Sequence, residues 1–243
     1  MLIITQHDGP SRLGTYEKLK TPSVFKPDEN IRVIEDEPMP YDVPKQLAEM
    51  SVNQTIENAK KSKGEGIGVI HGGKYVDLRI KCAKELDNLG ITTFLVANPE
   101  ELLKNPRDLA DIIVNIRETV SPNAALYFPF VDINFIPLLA YIGIDLFGDF
   151  ACDFYAYLTI MQTPTAKYDA NKYQIYDLSL EELKQYNKNS MDFVIREVRE
   201  NIKNGTLRNL VEERCCTSPE AMSALRILDK KYADFLNKYT PLY

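Results

Sequence analysis

Between Glu65 and Phe147 short apolar runs alternate with longer amphipathic stretches, and this alternation restricts the chain to an α/β architecture built on a parallel sheet. Gly66-Ile-Gly-Val-Ile-His71, Thr92–Ala97, Ala124–Phe130 and Ile144–Phe147 read as buried strands. Tyr75–Leu89, stopped by Gly90, reads as a helix, as does the stretch carrying Leu109, Ile112, Ile113 and Ile116, and the shorter Asp132–Tyr141. For the second of these, Asn105 is the expected N-cap, with Pro106 in the first turn and Asp108 in the place of a capping-box acid. Units of this kind join parallel strands by right-handed crossovers.

After Leu158 the pattern turns helical. Ser179-Leu-Glu-Glu182 is a capping box that should open a helix to about Lys203, ended by Gly205. Two more helices follow, the final one capped at Ser218 and carrying Met222, Leu225, Leu228, Tyr232, Phe235 and Leu236 as one core-facing stripe. The first 65 residues are the least regular, with Pro22, Pro27, Pro38, Pro40 and Pro44 among acids, and read as loops around short strands at Leu2–Thr5, Ser23–Phe25 and Ile31–Ile34. With 243 residues, 44% of them apolar, one domain is expected: an irregular part over 1–65, β/α units over 66–160 and a helical part over 161–243.

No stretch reaches the roughly 18 apolar residues of a membrane span, so a soluble, cytoplasmic protein is expected. Cys82, Cys152, Cys215 and Cys216 form no Cys-x-x-Cys or Cys/His cluster, which argues against a disulfide framework and a zinc site; no metal or cofactor is expected. A net charge of -6 lacks the Lys/Arg excess of a protein that grips nucleic acid alone.

The candidate chemistry lies at strand ends. His71 closes the first strand just before Gly72 and Gly73, where α/β barrels place active-site groups and where paired glycines let a ligand approach the backbone. A strand-end histidine that only bonds a loop carbonyl is the competing reading. Lys74, Tyr75, Asp77 and Arg79 fall on shared helix faces that would hold an anion or a ribose, or would simply satisfy the helix. Asp145 and Asp149 flank the last short strand. Asp149, at the mouth, would stabilise a cationic centre or orient an amine, or else would cap the helix over Phe150–Leu158.

These strings resemble a known family. His71-Gly72-Gly73-Lys74-Tyr75-Val-Asp77-Leu78-Arg79 is similar to the Gln-Gly-Gly-x-Tyr-x-Asp-Leu-Arg stretch of archaeal tRNA-guanine transglycosylases, and Gly143-Ile-Asp145-Leu-Phe147 to their Gly-x-Asp-x-Phe strand. Gly9-Pro-Ser-Arg12-Leu-Gly14, Thr21-Pro22 and Ala224-Leu-Arg226-x-Leu-Asp229-x-x-Tyr232 extend the likeness over nearly the whole chain, and the opening string with Leu126–Pro129 points to the archaeosine-synthase branch. The resemblance implies a TIM-barrel-like fold, here a shortened or irregular β/α barrel with a helical C-terminal third. It further implies work on 7-cyano-7-deazaguanine in the tRNA D-loop, converting the nitrile towards an amidine with an amine-bearing amino acid, sometimes beside a radical S-adenosylmethionine partner.

The departures are as informative. Transglycosylases carry a nucleophilic Asp directly after the Gly-x-Asp-x-Phe string, where this chain has Gly148, and their Asp-Ser-Gly-Gly-Phe-Gln segment and zinc-binding cysteines have no counterpart. Covalent base exchange is therefore not expected. The expected role is a transglycosylase-like subunit of archaeosine formation, with Asp149 and His71 as catalytic candidates and Gly72, Gly73, Arg79 and Asp145 as substrate-binding candidates. A partner chain would hold the tRNA, in a hetero- or homo-oligomer. The rival readings are a catalytically dead scaffold of a tRNA-modifying complex and, third, an independent enzyme on a small nucleobase or nucleoside.

Overall fold

The computed structural model describes residues 1–28, 31–173 and 177–239. Its first three strands, β1 (Leu2–Asp8), β2 (Ser11–Tyr16) and β3 (Leu19–Thr21), form an antiparallel ribbon. The β1–β2 turn at Gly9-Pro10 was not anticipated as a hairpin. β4 (Ser23–Val24), β5 (Gly68–Ile70), β6 (Thr93–Val96), β7 (Ala125–Phe128) and β8 (Leu146–Phe147) make a parallel sheet in the order β4-β8-β7-β6-β5. The expected strand at Ile31–Ile34 is reduced to a parallel bridge between Val33 and Ile67 beside β5. Among the described residues no backbone pairing joins that bridge to β4.

Helices α1 (Lys45–Lys61), α2 (Val76–Asn88), α3 (Pro99–Lys104), α4 (Pro106–Thr119), α5 (Ile136–Tyr141) and α6 (Phe150–Tyr157) lie between and after these strands, α3 and α4 both between β6 and β7. A hairpin of β9 (Ile160–Gln162) and β10 (Lys167–Asp169) opens the final third, ahead of the helices expected there. Then come α7 (Ala170–Tyr173), α8 (Leu180–Asn204), α9 (Leu207–Cys215), α10 (Pro219–Lys231) and α11 (Ala233–Asn237). The stripe expected on one last helix is shared by two, because the backbone breaks at Tyr232. α1 was missed because its buried face is Ala48, Ser51, Val52, Thr55, Ile56 and Ala59, correctly spaced but poor in large apolar groups.

Two cores result from strand alternation. Phe94, Val96, Leu126, Phe128 and Phe147 face the helices in the larger core. Phe25, Ile67, Ala125, Tyr127 and Leu146 face inward, where Leu2 and Tyr16 of the ribbon join them. The ribbon seals the N-terminal ends of the parallel strands: Leu2 N donates to Asn123 O at 3.1 Å, and the Tyr16 and Thr93 hydroxyls meet at 3.0 Å.

Capping follows the sequence at α8 but not at α4. Ser179 accepts from Glu182 N while the Glu182 carboxylate accepts from Ser179 N at 2.9 Å, a complete capping box. Ser179→Ala is expected to cost about 1 kcal/mol, a fall of roughly 2–4 °C in thermal unfolding for a chain of this size. At α4, Asn105 Nδ2 turns back to Glu101 O and Asp108 accepts from the Tyr41 hydroxyl, so neither side chain caps the helix as expected.

Candidate functional site

The sheet register lines up Val69, Leu95, Tyr127, Leu146 and Ser23 across one layer. Two residues further along each strand, the same inward face reaches His71, Ala97, Pro129, Gly148 and Phe25 at the C-terminal tips. Pairing persists at these tips, with Gly148 N on Phe128 O, Ala97 N on Ile70 O and Phe25 N on Phe147 O. His71 is therefore the ionisable member of this tip layer.

The imidazole is 3% exposed, and its Nε2 lies 2.5 Å from Asp36 Oδ2. Carrying the parallel Val33–Ile67 register forward sets Asp36 against Ile70, one residue short of His71, and the Asp36 carboxylate reaches the ring from there. Nδ1 is buried and has no partner. A neutral ring donating from Nε2 to the carboxylate keeps a lone pair on Nδ1, the arrangement of a base oriented by an acid. The sequence pattern does not single out Asp36, which stands two residues after the Ile31–Ile34 strand candidate in the acidic run Glu35-Asp36-Glu37.

Neither glycine leaves room for a side chain. A Cβ on Gly72 would stand 2.7 Å from Arg79 N, and one on Gly73, at φ +55°, would stand 2.6 Å from Tyr41 O. The segment around Tyr41 packs closely on Gly73. The Lys74–Arg79 stretch is likewise occupied. Tyr75 OH donates to Val43 O at 2.9 Å, Lys74 pairs with Asp42 at 2.6 Å and Asp77 with Lys45 at 2.6 Å.

Arg79 is fully buried and spans the strand ends. Its guanidinium donates to the carbonyls of Gly73 (3.0 Å), Ile70 (2.8 Å) and Ala97 (2.9 Å). Burial, with no carboxylate in contact, brings its pKa down to about 10. It ties together the loops after β5 and β6.

Asp145 lies at the opposite, N-terminal end of β8. Its carboxylate takes Arg12 Nε and Nη2 at 2.7 Å each, and Leu126 N at 2.9 Å. Arg12 also donates to the carbonyls of Pro122 and Ala124. The structure thus separates Asp145 from His71 and Asp149 by the length of the strands. Asp149 does sit at the C-terminal tips, at the N-cap position of α6, but its side chain makes no capping bond. It faces Lys188 at 3.6 Å, a lysine that also reaches Asp153 at 2.9 Å. Beneath this mouth the Tyr127 hydroxyl is buried without a partner; burial, and then the Asp149 charge, raise its pKa.

Gly148 stands at the C-terminal tip of β8. A Cβ there would lie 2.1 Å from Pro129 O and 2.7 Å from its carbonyl carbon, both backbone atoms. No side chain fits at this position without moving the loop after β7.

The family model described as queuine tRNA-ribosyltransferase matches residues 3–183. An archaeosine synthase of Methanocaldococcus jannaschii is 35% identical over 183 residues, covering 74% of this chain and 30% of that relative. A tRNA-guanine(15) transglycosylase of the same organism is 28% identical over 287 residues, covering 99% of this chain and 43% of the relative. One from Pyrobaculum aerophilum is 30% identical over 169 residues, 59% of this chain and 33% of its own length. The chain spans less than half the length of these curated relatives. No helix among the described residues is long and apolar enough to cross a membrane. On the family model and the extent of these matches, the chain belongs to the tRNA-guanine transglycosylase superfamily, on its archaeosine-synthase branch.

Proposed function

We propose that this chain is a transglycosylase-like unit of archaeosine formation in tRNA, acting on or supporting conversion of 7-cyano-7-deazaguanine without exchanging a base. The observation that carries the reading is Gly148 beneath the Pro129 carbonyl. A branch member with that tip filled by backbone has no place for the carboxylate that attacks ribose, while the surrounding layer keeps a base, His71 on Asp36. The parallel strands, their inward-facing apolar cluster and the sealing ribbon support a shortened barrel in place of an eight-stranded one.

In this reading His71 moves the proton when an amine adds to the nitrile. The amine nitrogen bonds the nitrile carbon, loses one proton to Nδ1, and the nitrile nitrogen gains one, leaving an amidine. Asp149 and Lys188 orient the amine-bearing amino acid at the mouth, Asp149 towards its neutral attacking amine and Lys188 towards its carboxylate, with Gly72 and Gly73 shaping the rim. Arg79 and Asp145 act through the backbone they hold. A partner chain supplies the RNA grip, consistent with the net charge of -6.

A second reading, a scaffold that only completes the complex, is favoured by the 3% exposure of His71. Nucleoside mass spectrometry of tRNA from cells lacking the gene should show archaeosine lost and the nitrile precursor accumulated; unchanged archaeosine removes both readings. Complementation with His71→Ala and Asp149→Ala then separates them. A catalytic role predicts a loss of about 10²-fold or more in the rate of conversion, and a scaffold predicts none.

A further inference from the structure

Away from the strand tips, a groove of about 640 Å³ runs between the β2–β3 ribbon and the second half of α8. Its lining carries Lys20, Arg196, Arg199 and Lys203 against one acid, Glu200. Arg196, Arg199 and Lys203 stand three and seven residues apart on α8, so they share a face. Lys203 has Glu200 at 3.5 Å, whereas Lys20, Arg196 and Arg199 make no ion pair among the described residues. In a chain of net charge -6 such a concentration of unpaired cations is a local reversal of sign.

The groove is also built to hold these charges in place. Arg199 Nη1 donates to the carbonyls of Lys20 at 3.0 Å and Pro22 at 3.1 Å, which fixes its head group at the groove wall. Burial and then the neighbouring Arg196 lower its pKa, with Asp192 opposing. Gln6 Nε2 donates to the carbonyls of Ile202 and Lys203 at 3.1 and 2.9 Å. That quenches the end of α8 that would otherwise repel an anion. Thr21, 1% exposed, lines the groove, and its hydroxyl is buried without a hydrogen-bond partner. An unused buried hydroxyl is costly, and here it lies beside guanidinium forks.

We propose that this groove binds a phosphoryl group, its oxygens taken by Lys20, Arg196 and Arg199 with the Thr21 hydroxyl at the floor. A carboxylate needs one such fork; several clustered cations suit the charge and the oxygens of a phosphate. The groove volume exceeds a lone anion and accepts the sugar or neighbouring unit attached to it. Phosphate chemistry reaches the groove from two sources, a free or small-molecule phosphate and the phosphodiester backbone of a nucleic acid. The proposal stands independently of archaeosine formation, since its test measures binding alone.

The full chain is titrated at low ionic strength with inorganic phosphate by calorimetry, and with a short labelled single-stranded RNA by anisotropy. Each titration is repeated on the Lys20→Ala/Arg196→Ala double variant, whose side chains are both exposed and whose folding is checked by circular dichroism. The wild type is expected to bind at least one probe, and the double variant to bind it at least roughly tenfold more weakly. RNA binding tighter than phosphate, with a salt slope reduced by about 1.4 in the variant, assigns the backbone as the source. Phosphate binding with RNA no tighter assigns the small ligand. Failure of the wild type to bind either probe, or equal binding by the folded double variant, overturns the proposal.

Discussion

Asp145→Ala is expected to destabilise the chain by about 3–5 kcal/mol, because it leaves the Arg12 guanidinium charged and unpaired in a buried site. Arg12 and Asp145 are 4% and 1% exposed, and each also holds backbone, Arg12 at Pro122 and Ala124, Asp145 at Leu126. At roughly 2–4 °C per kcal/mol for a chain of this size, thermal unfolding should drop by about 6–20 °C. The Arg12→Met/Asp145→Leu double variant removes both charges, and its loss should be smaller than the sum of the single losses. Additive losses would show that the ion pair contributes nothing beyond the separate backbone contacts. The consequence for function is specific. A defect in Asp145→Ala should track the folded fraction, since the carboxylate lies at the far end of the strand from His71.

The second large effect is expected at Gly148. Gly148→Asp, which writes the family's nucleophile into the sequence, places its Cβ about where a contact of 2.1 Å to Pro129 O would form. That contact is with backbone, so relief requires the loop after β7 to move, and the loss of stability should equal or exceed the about 1–3 kcal/mol typical of overpacking. Base exchange should remain undetectable in this variant, by incorporation of labelled guanine or 7-cyano-7-deazaguanine into tRNA. A stable Gly148→Asp protein with measurable exchange would mean that the chain lacks activity only for want of one carboxylate, and the reading of the filled tip would fall. Gly148→Ala separates the causes, since it carries the same Cβ without the charge.

The parallel strands between Glu65 and Phe147 were legible because each is a short apolar run bounded by glycine, proline or a helix signal, and such signals are local. The α8 capping box was legible for the same reason: its two side chains are three residues apart. α1 was not, since Ser51, Thr55 and Ala48 bury as well as larger groups do once a sheet covers them, yet carry no apolar signature. Of the candidate site, His71 and Asp149 were placed at the strand tips from the strand pattern alone. Asp36 was missed because nothing near it names its partner 35 residues on. The groove around Arg196 and Arg199 was hidden by averaging: a total of -6 says nothing about where the unpaired cations gather.

By itself the sequence determined the α/β class, the strand and helix segments of the middle of the chain, the family motifs and the glycine at position 148. Only the tertiary structure decided what each polar residue in those motifs does. Asp145 meets an arginine 133 residues away, Arg79 spends its donors on carbonyls, and Gly72 and Gly73 make room for neighbouring backbone. The physical reason is range. Periodicity and capping depend on neighbours within a few residues, whereas the cost of burying a charge or a Cβ depends on which distant atoms the fold brings against it.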